Sequence, residues 1–154
     1  MRSLKKIKIL LDSTYLLPIL GVEVVDVRSV LIVLKKLYDK DIAIYYYTPL
    51  NIFEALGVIS KTNYDYSIVA KGLKAITENF IEITPSPEEY LYALELKKKG
   101  FKDLIDLILY SVSLKRNIFF LTRDETLIDF IKRNNGELRY ILFEKDFFNK
   151  YKDI

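Results

Sequence analysis

No cysteine and no histidine occur among the 154 residues, and these two absences remove most of the usual catalytic repertoire. Disulfides, thiol nucleophiles, histidine-based triads and Cys/His zinc sites are all excluded within this chain. Glycine (5) and proline (4) are few. They mark single turns, with no linker, internal repeat or low-complexity stretch. A Gly-rich phosphate loop is missing, which sets aside nucleotide binding of the Walker or Rossmann kind. No apolar run reaches membrane-spanning length, and Met1-Arg2-Ser3-Leu4-Lys5-Lys6 leads into a strand without a signal-peptide pattern. A cytoplasmic protein with no membrane partner is expected.

What remains for chemistry is carboxylate, lysine, tyrosine, hydroxyl and a bound hard cation. With 51% hydrophobic and 29% charged residues the composition is globular, and a single domain over 1–154 is expected. The formal net charge of +3 is mild. It permits an anionic partner without demanding one.

Short apolar runs alternate with stretches of helical periodicity. Strands are expected near 6–11, 42–47, 80–83, 118–121 and 139–143. Helices are expected near 13–20, 30–38, 50–61, 64–79, 87–99, 104–114 and 125–133, with a helical tail. Thr48-Pro49 makes a strong helix start, hydroxyl at the cap and proline at the first helical position. The alternation implies an α/β protein with a mainly parallel central sheet of about five strands.

Four acids stand out. Asp12 and Asp124 each fall just past the end of an expected strand, the edge where sites assemble in open α/β sheets. Each also suits a helix N-cap. Glu54 is the only charged residue between Pro49 and Ser60, and Asp106 is the only one in 104–114, a helix apolar nearly all round. Glu54 has a plain reading as a side chain reaching water or a lysine. Asp103, one turn before Asp106, is either a further ligand or a favourable charge at a helix start; Asp129 reads as surface. If the four acids converge, mutual repulsion raises their pKa values, and a divalent cation relieves it. Oxygen-only ligation points to Mg²⁺ or Mn²⁺, one ion or two.

Rival sites fail on particular residues. A haloacid-dehalogenase-type phosphatase needs an acid where Thr14 stands. A receiver domain needs paired acids beside Asp12, and an integrin-type metal motif needs a hydroxyl where Leu16 stands.

The motifs Ile-Leu-Leu-Asp12-Ser-Thr, Asn-Ile-Phe-Glu54-Ala-Leu, Asp-Leu-Ile-Asp106-Leu-Ile-Leu and Phe-Leu-Thr-Arg-Asp124 resemble, in order and spacing, the acidic motifs of the PIN-domain nucleases. The resemblance runs from about Ile7 to Phe143. It implies a three-layer α/β/α PIN-like fold and a metal-dependent endoribonuclease hydrolysing RNA phosphodiester bonds. Asp12, Glu54, Asp106 and Asp124 would be the catalytic metal ligands, with Asp103 as an added one and Ser13 and Thr122 as supporting hydroxyls. Many small members are VapC-type toxins of toxin–antitoxin pairs, so an antitoxin protein is an expected partner. The helices from Asn51 to Asn79 carry enough apolar residues to bury a partner as well as a core, and a homodimer is expected. This chain has Leu-Ile-Leu-Tyr-Ser-Val-Ser where the toxins have an Ala-rich helix, and no zinc ribbon follows. RNA maturation, flap cleavage, and a silent RNA- or protein-binding module are the alternatives. For RNA contact, Arg123 and Lys102 are the candidates, with Lys97, Lys98, Lys99, Lys115 and Arg116 near the same helix. Tyr45-Tyr46-Tyr47 reads as strand before it reads as a base-stacking surface.

Overall fold

A computed structural model describes residues 5–154; residues 1–4, the start of the stretch that lacks a signal-peptide pattern, lie outside the described residues. Five strands form one parallel sheet in the order β3-β2-β1-β4-β5. They are β1 (Ile7–Leu11), β2 (Ala43–Tyr47), β3 (Ile81–Glu82), β4 (Phe119–Thr122) and β5 (Ile141–Phe143). The helices are α1 (Ser13–Leu16), α2 (Arg28–Asp39), α3 (Pro49–Ile59), α4 (Tyr66–Asn79), α5 (Pro87–Lys98), α6 (Leu104–Arg116), α7 (Glu125–Arg133) and α8 (Glu144–Tyr151).

Alternation along the strands builds two cores. Ile9, Leu11, Tyr45, Tyr47 and Leu121 face a cluster closed by α1, α2, α4 and Phe147 of α8. Leu10 and Phe120 face the other, closed by α5, α6 and α7. The tyrosine run is therefore wall and core: the buried Tyr45 hydroxyl donates to the Leu34 carbonyl at 2.7 Å. This is the expected three-layer arrangement. No helix among the described residues is long and apolar enough to cross a membrane.

Several boundaries differ from expectation for local reasons. The helix expected over 13–20 is one turn of α-helix followed by a 3-10 turn, because Pro18 has no N–H to continue the α pattern; Gly21 ends it at φ 89°. The edge strands are shorter than expected. Arg139 and Tyr140 lie in a turn before β5, and only Ile81 and Glu82 pair on β2. Helix α6 runs two residues further than expected, to Arg116, before Asn117 turns left-handed at φ 57°. Thr48 and Asn51 form a reciprocal capping box with Pro49 at the helix start.

Helix α4 packs tightly on the 3-10 turn. A Cβ built on Gly72 would stand 2.3 Å from the Ile19 carbonyl oxygen, a backbone atom that cannot swing aside. Gly72→Ala should therefore lose stability, by about 1–3 kcal/mol from overpacking, although alanine is the better helix former by about 1 kcal/mol. A thermal or urea unfolding curve for the variant checks it.

Candidate metal centre at the carboxyl edge of the sheet

Parallel register places the first two acids. Leu11 pairs with Leu121, and Leu10 with Tyr46, so the chains leaving β1, β2 and β4 emerge side by side. The order in which strands are added reverses at β1, since β2 and β3 lie to one side of it and β4 and β5 to the other. Such a switch point opens a crevice beyond the strand ends. Asp12 and Asp124 are carried into it from the two strands that flank it.

Each acid first serves its own backbone. Asp12 caps α1, accepting from the Ser13 N–H at 2.7 Å. Asp103 caps α6 through the Asp106 N–H at 3.2 Å, and Asp124 caps α7 through the Thr126 N–H at 2.9 Å. The capping roles weighed from sequence are thus realised. Capping does not disperse the cluster. Glu54 reaches in from α3 and accepts a hydrogen bond from the Ser13 hydroxyl, which also lies 3.4 Å from Asp12. Asp106, on the first turn of α6, is only 8% exposed. The buried Thr122 hydroxyl accepts from the Asp124 N–H at 3.1 Å and fixes that turn.

Electrostatics show that the five acids share one region. Burial, then the charges of Asp12, Asp103, Glu54 and Asp124, push the Asp106 carboxyl up to about 9. Burial, then Glu54, push Asp12 up to about 6, against the opposing bonds from Ser13. No lysine or arginine is among the main influences on either carboxyl. Among the described residues, none of the five takes part in an ion pair. Nor do any three acids stand gathered at ligand spacing around one point; Glu54 is turned to Ser13, and Asp103 and Asp124 to their helix N–H groups. The donor set is carboxylate and hydroxyl oxygen alone, which suits a hard divalent cation.

Arg123, the expected phosphate contact, is held by partners within the chain. Its guanidinium donates to both Glu144 oxygens, at 3.0 and 3.1 Å, and to the carbonyls of Val25 and Asp26, at 2.7 and 3.1 Å. Lys102 remains exposed beside Asp103. Lys97 bonds the carbonyls of Phe101 and Lys102, Lys115 lies over the Tyr92 ring, and Arg116 is paired with the buried Glu89. Asp129 sits on exposed surface with Thr126 and Lys132.

Three residues escaped the sequence reading. Glu144 directly follows β5, and the rule that singled out Asp12 and Asp124 applies to it too. Tyr15 donates to Glu144 at 2.9 Å. Asn51, fully buried one helical turn before Glu54, has the only buried side-chain atom among the described residues without a partner, its Nδ2. Nothing in the sequence marks it.

No protein-family model matches the chain, and no curated protein is significantly similar to it in sequence. Solved structures are similar in fold. PAE2754 from Pyrobaculum aerophilum superposes with a TM-score of 0.62 at 14% identity, over 96% of this chain and 97% of that one. A chain of VapBC2 from Rickettsia felis, solved bound to a DNA fragment from the promoter, superposes with a TM-score of 0.59 at 15% identity, over 88% and 97%. At such identities the likeness is one of fold, and it is the PIN-like fold expected from the acidic motifs.

Because Asp106 binds its proton more tightly folded than unfolded, its contribution to stability is complete below about pH 4 and is lost as pH rises toward 9. In EDTA, the melting temperature should fall across that range. Asp106→Asn should flatten the fall and raise the midpoint at pH 8 by about 5 °C, as read by circular dichroism.

Proposed function

We propose that this chain is a divalent-metal-dependent endoribonuclease, the toxin of a toxin–antitoxin pair. The observation that carries the reading is the buried Asp106 carboxyl, on which the charges of Asp12, Asp103, Glu54 and Asp124 all bear, while none of the five acids has an ion-pair partner among the described residues. Asp12, Glu54, Asp106 and Asp124 would hold one or two Mg²⁺ or Mn²⁺ ions, after side-chain rotation away from their present partners, with Asp103 at the margin. When bound, such an ion stabilises negative charge on the phosphoryl and leaving oxygens and makes water a better nucleophile.

The chain's own residues do the rest. Ser13 sets the Glu54 carboxylate, Thr122 holds the turn that aims Asp124, and the neighbouring exposed Lys102 meets the phosphate backbone. Because the crevice itself repels a polyanion, that basic rim is what draws RNA to it. The fold likeness to a VapBC2 chain supports an antitoxin protein as partner, and the cytoplasm is the site of action that goes with this reading. Phe53, Leu56 and Val58 on α3, and Tyr90, Leu91 and Leu94 on α5, are exposed apolar side chains, and such surface marks a protein–protein contact where it is contiguous. A second copy of the chain is the occupant we assign to the α5 face.

One observation favours a second reading, a catalytically silent RNA-binding module: among the described residues no three acids stand at ligand spacing. Incubation with an RNA panel separates the two. Wild type should cleave with Mn²⁺ and stop in EDTA, and Asp106→Asn should be slower by at least about 100-fold while remaining folded. EDTA-insensitive cleavage, or equal rates, would reject the mechanism. In sedimentation velocity, wild type should run as a dimer and Leu94→Glu as a monomer.

A further inference from the structure

Glu144 joins the two turns that carry acids from neighbouring strands. It opens α8 immediately after β5, and its side chain is 17% exposed. One oxygen accepts from the Tyr15 hydroxyl at 2.9 Å and from Arg123 Nε at 3.0 Å; the other accepts from Arg123 Nη2 at 3.1 Å. Tyr15 lies three residues after Asp12, on the same one-turn helix. Arg123 is the residue before Asp124. The guanidinium also grips the carbonyls of Val25 and Asp26, where Asp26 is left-handed at φ 58°. That backbone conformation is unusual for a residue with a side chain.

A pair with only a stabilising role can stand anywhere on the molecule. The Glu89–Arg116 pair is such a case, at the end of α6 remote from Asp106. The arms of Glu144, by contrast, end on Tyr15, in the one-turn helix that Asp12 caps, and on Arg123, next to Asp124; the charges of both acids bear on Asp106. A bidentate guanidinium–carboxylate contact fixes orientation as well as distance. It also adds no net charge to the crevice, since the two charges cancel.

We propose that Glu144, acting through Tyr15 and Arg123, is a positioning residue that ties the Asp12 and Asp124 turns together, so that both carboxylates can turn onto one cation. This rests on reading the crevice as a metal centre. Partners that orient metal ligands at one remove typically change metal affinity by about 10–100-fold when lost. Glu144 sets its ligands through two short backbone turns, so the lower end of that range applies.

The test is direct Mn²⁺ binding, followed by electron paramagnetic resonance of the free ion, alongside thermal unfolding of the same full-length proteins. Tyr15→Phe, which deletes one hydroxyl and little else, should weaken Mn²⁺ binding about tenfold, and Glu144→Gln should weaken it further. The double variant should be no weaker than Glu144→Gln alone, because both remove one unit. Glu89→Gln should lower the melting temperature and leave Mn²⁺ affinity unchanged. If wild type binds Mn²⁺ and the two clamp variants bind it equally well, Glu144 has no positioning role. Weakening by Glu89→Gln as large as theirs would remove that role too. If wild type binds no Mn²⁺, the metal-centre reading itself fails and takes the clamp with it.

Discussion

Like charges held together away from water are the constraint on which this structure turns. Carboxylates close enough to sense one another, with little solvent to screen them, oppose folding unless something else carries part of the charge. The chain supplies partial relief. Asp12, Asp103 and Asp124 each accept a backbone N–H as helix caps, and Asp103, Asp106 and Asp124 sit at the positive ends of α6 and α7. What remains unrelieved is Asp106, whose carboxyl stays protonated well above neutrality. On the proposed function, a cation entering the crevice takes the place of that proton, and its binding is pH-dependent for that reason.

Strand order makes such a crevice available. With β1 and β4 adjacent at the centre and the chain diverging on either side, the connections leaving those strands part above the sheet. Helix α6 then brings Asp106 from one layer, while Tyr15 and Glu144 buttress the opposite side from the other. Neither layer alone could surround the site. This is why its acids lie so far apart in sequence, from position 12 to 124.

Much of this was legible beforehand, and the reasons are specific. Parallel strands covered on both faces appear as short apolar runs, so all five are visible in the sequence; the ends of the two edge strands are not, because Phe80, Ile83 and Tyr140 continue the apolar run past the residues that pair. Asp106 stands out as the one charge in the stretch 104–114. Arg123 stays open in the sequence because a guanidinium beside a candidate ligand looks the same whether it meets a phosphate or a carboxylate 21 residues downstream; the tertiary structure brings Glu144 to it. Glu144 itself was overlooked because it opens a tail helix, where an acid is ordinary. The orphaned Nδ2 of Asn51 has no signature at all in one dimension, and we have no physical account of it.

The sheet ends on both sides in strands of two and three residues, Ile81–Glu82 and Ile141–Phe143. Such stubs offer too few free N–H and carbonyl groups for another chain to zip onto. Growth of the sheet across molecules is thereby discouraged, and association is steered onto helical surfaces, where side-chain shape can select one partner and refuse the rest.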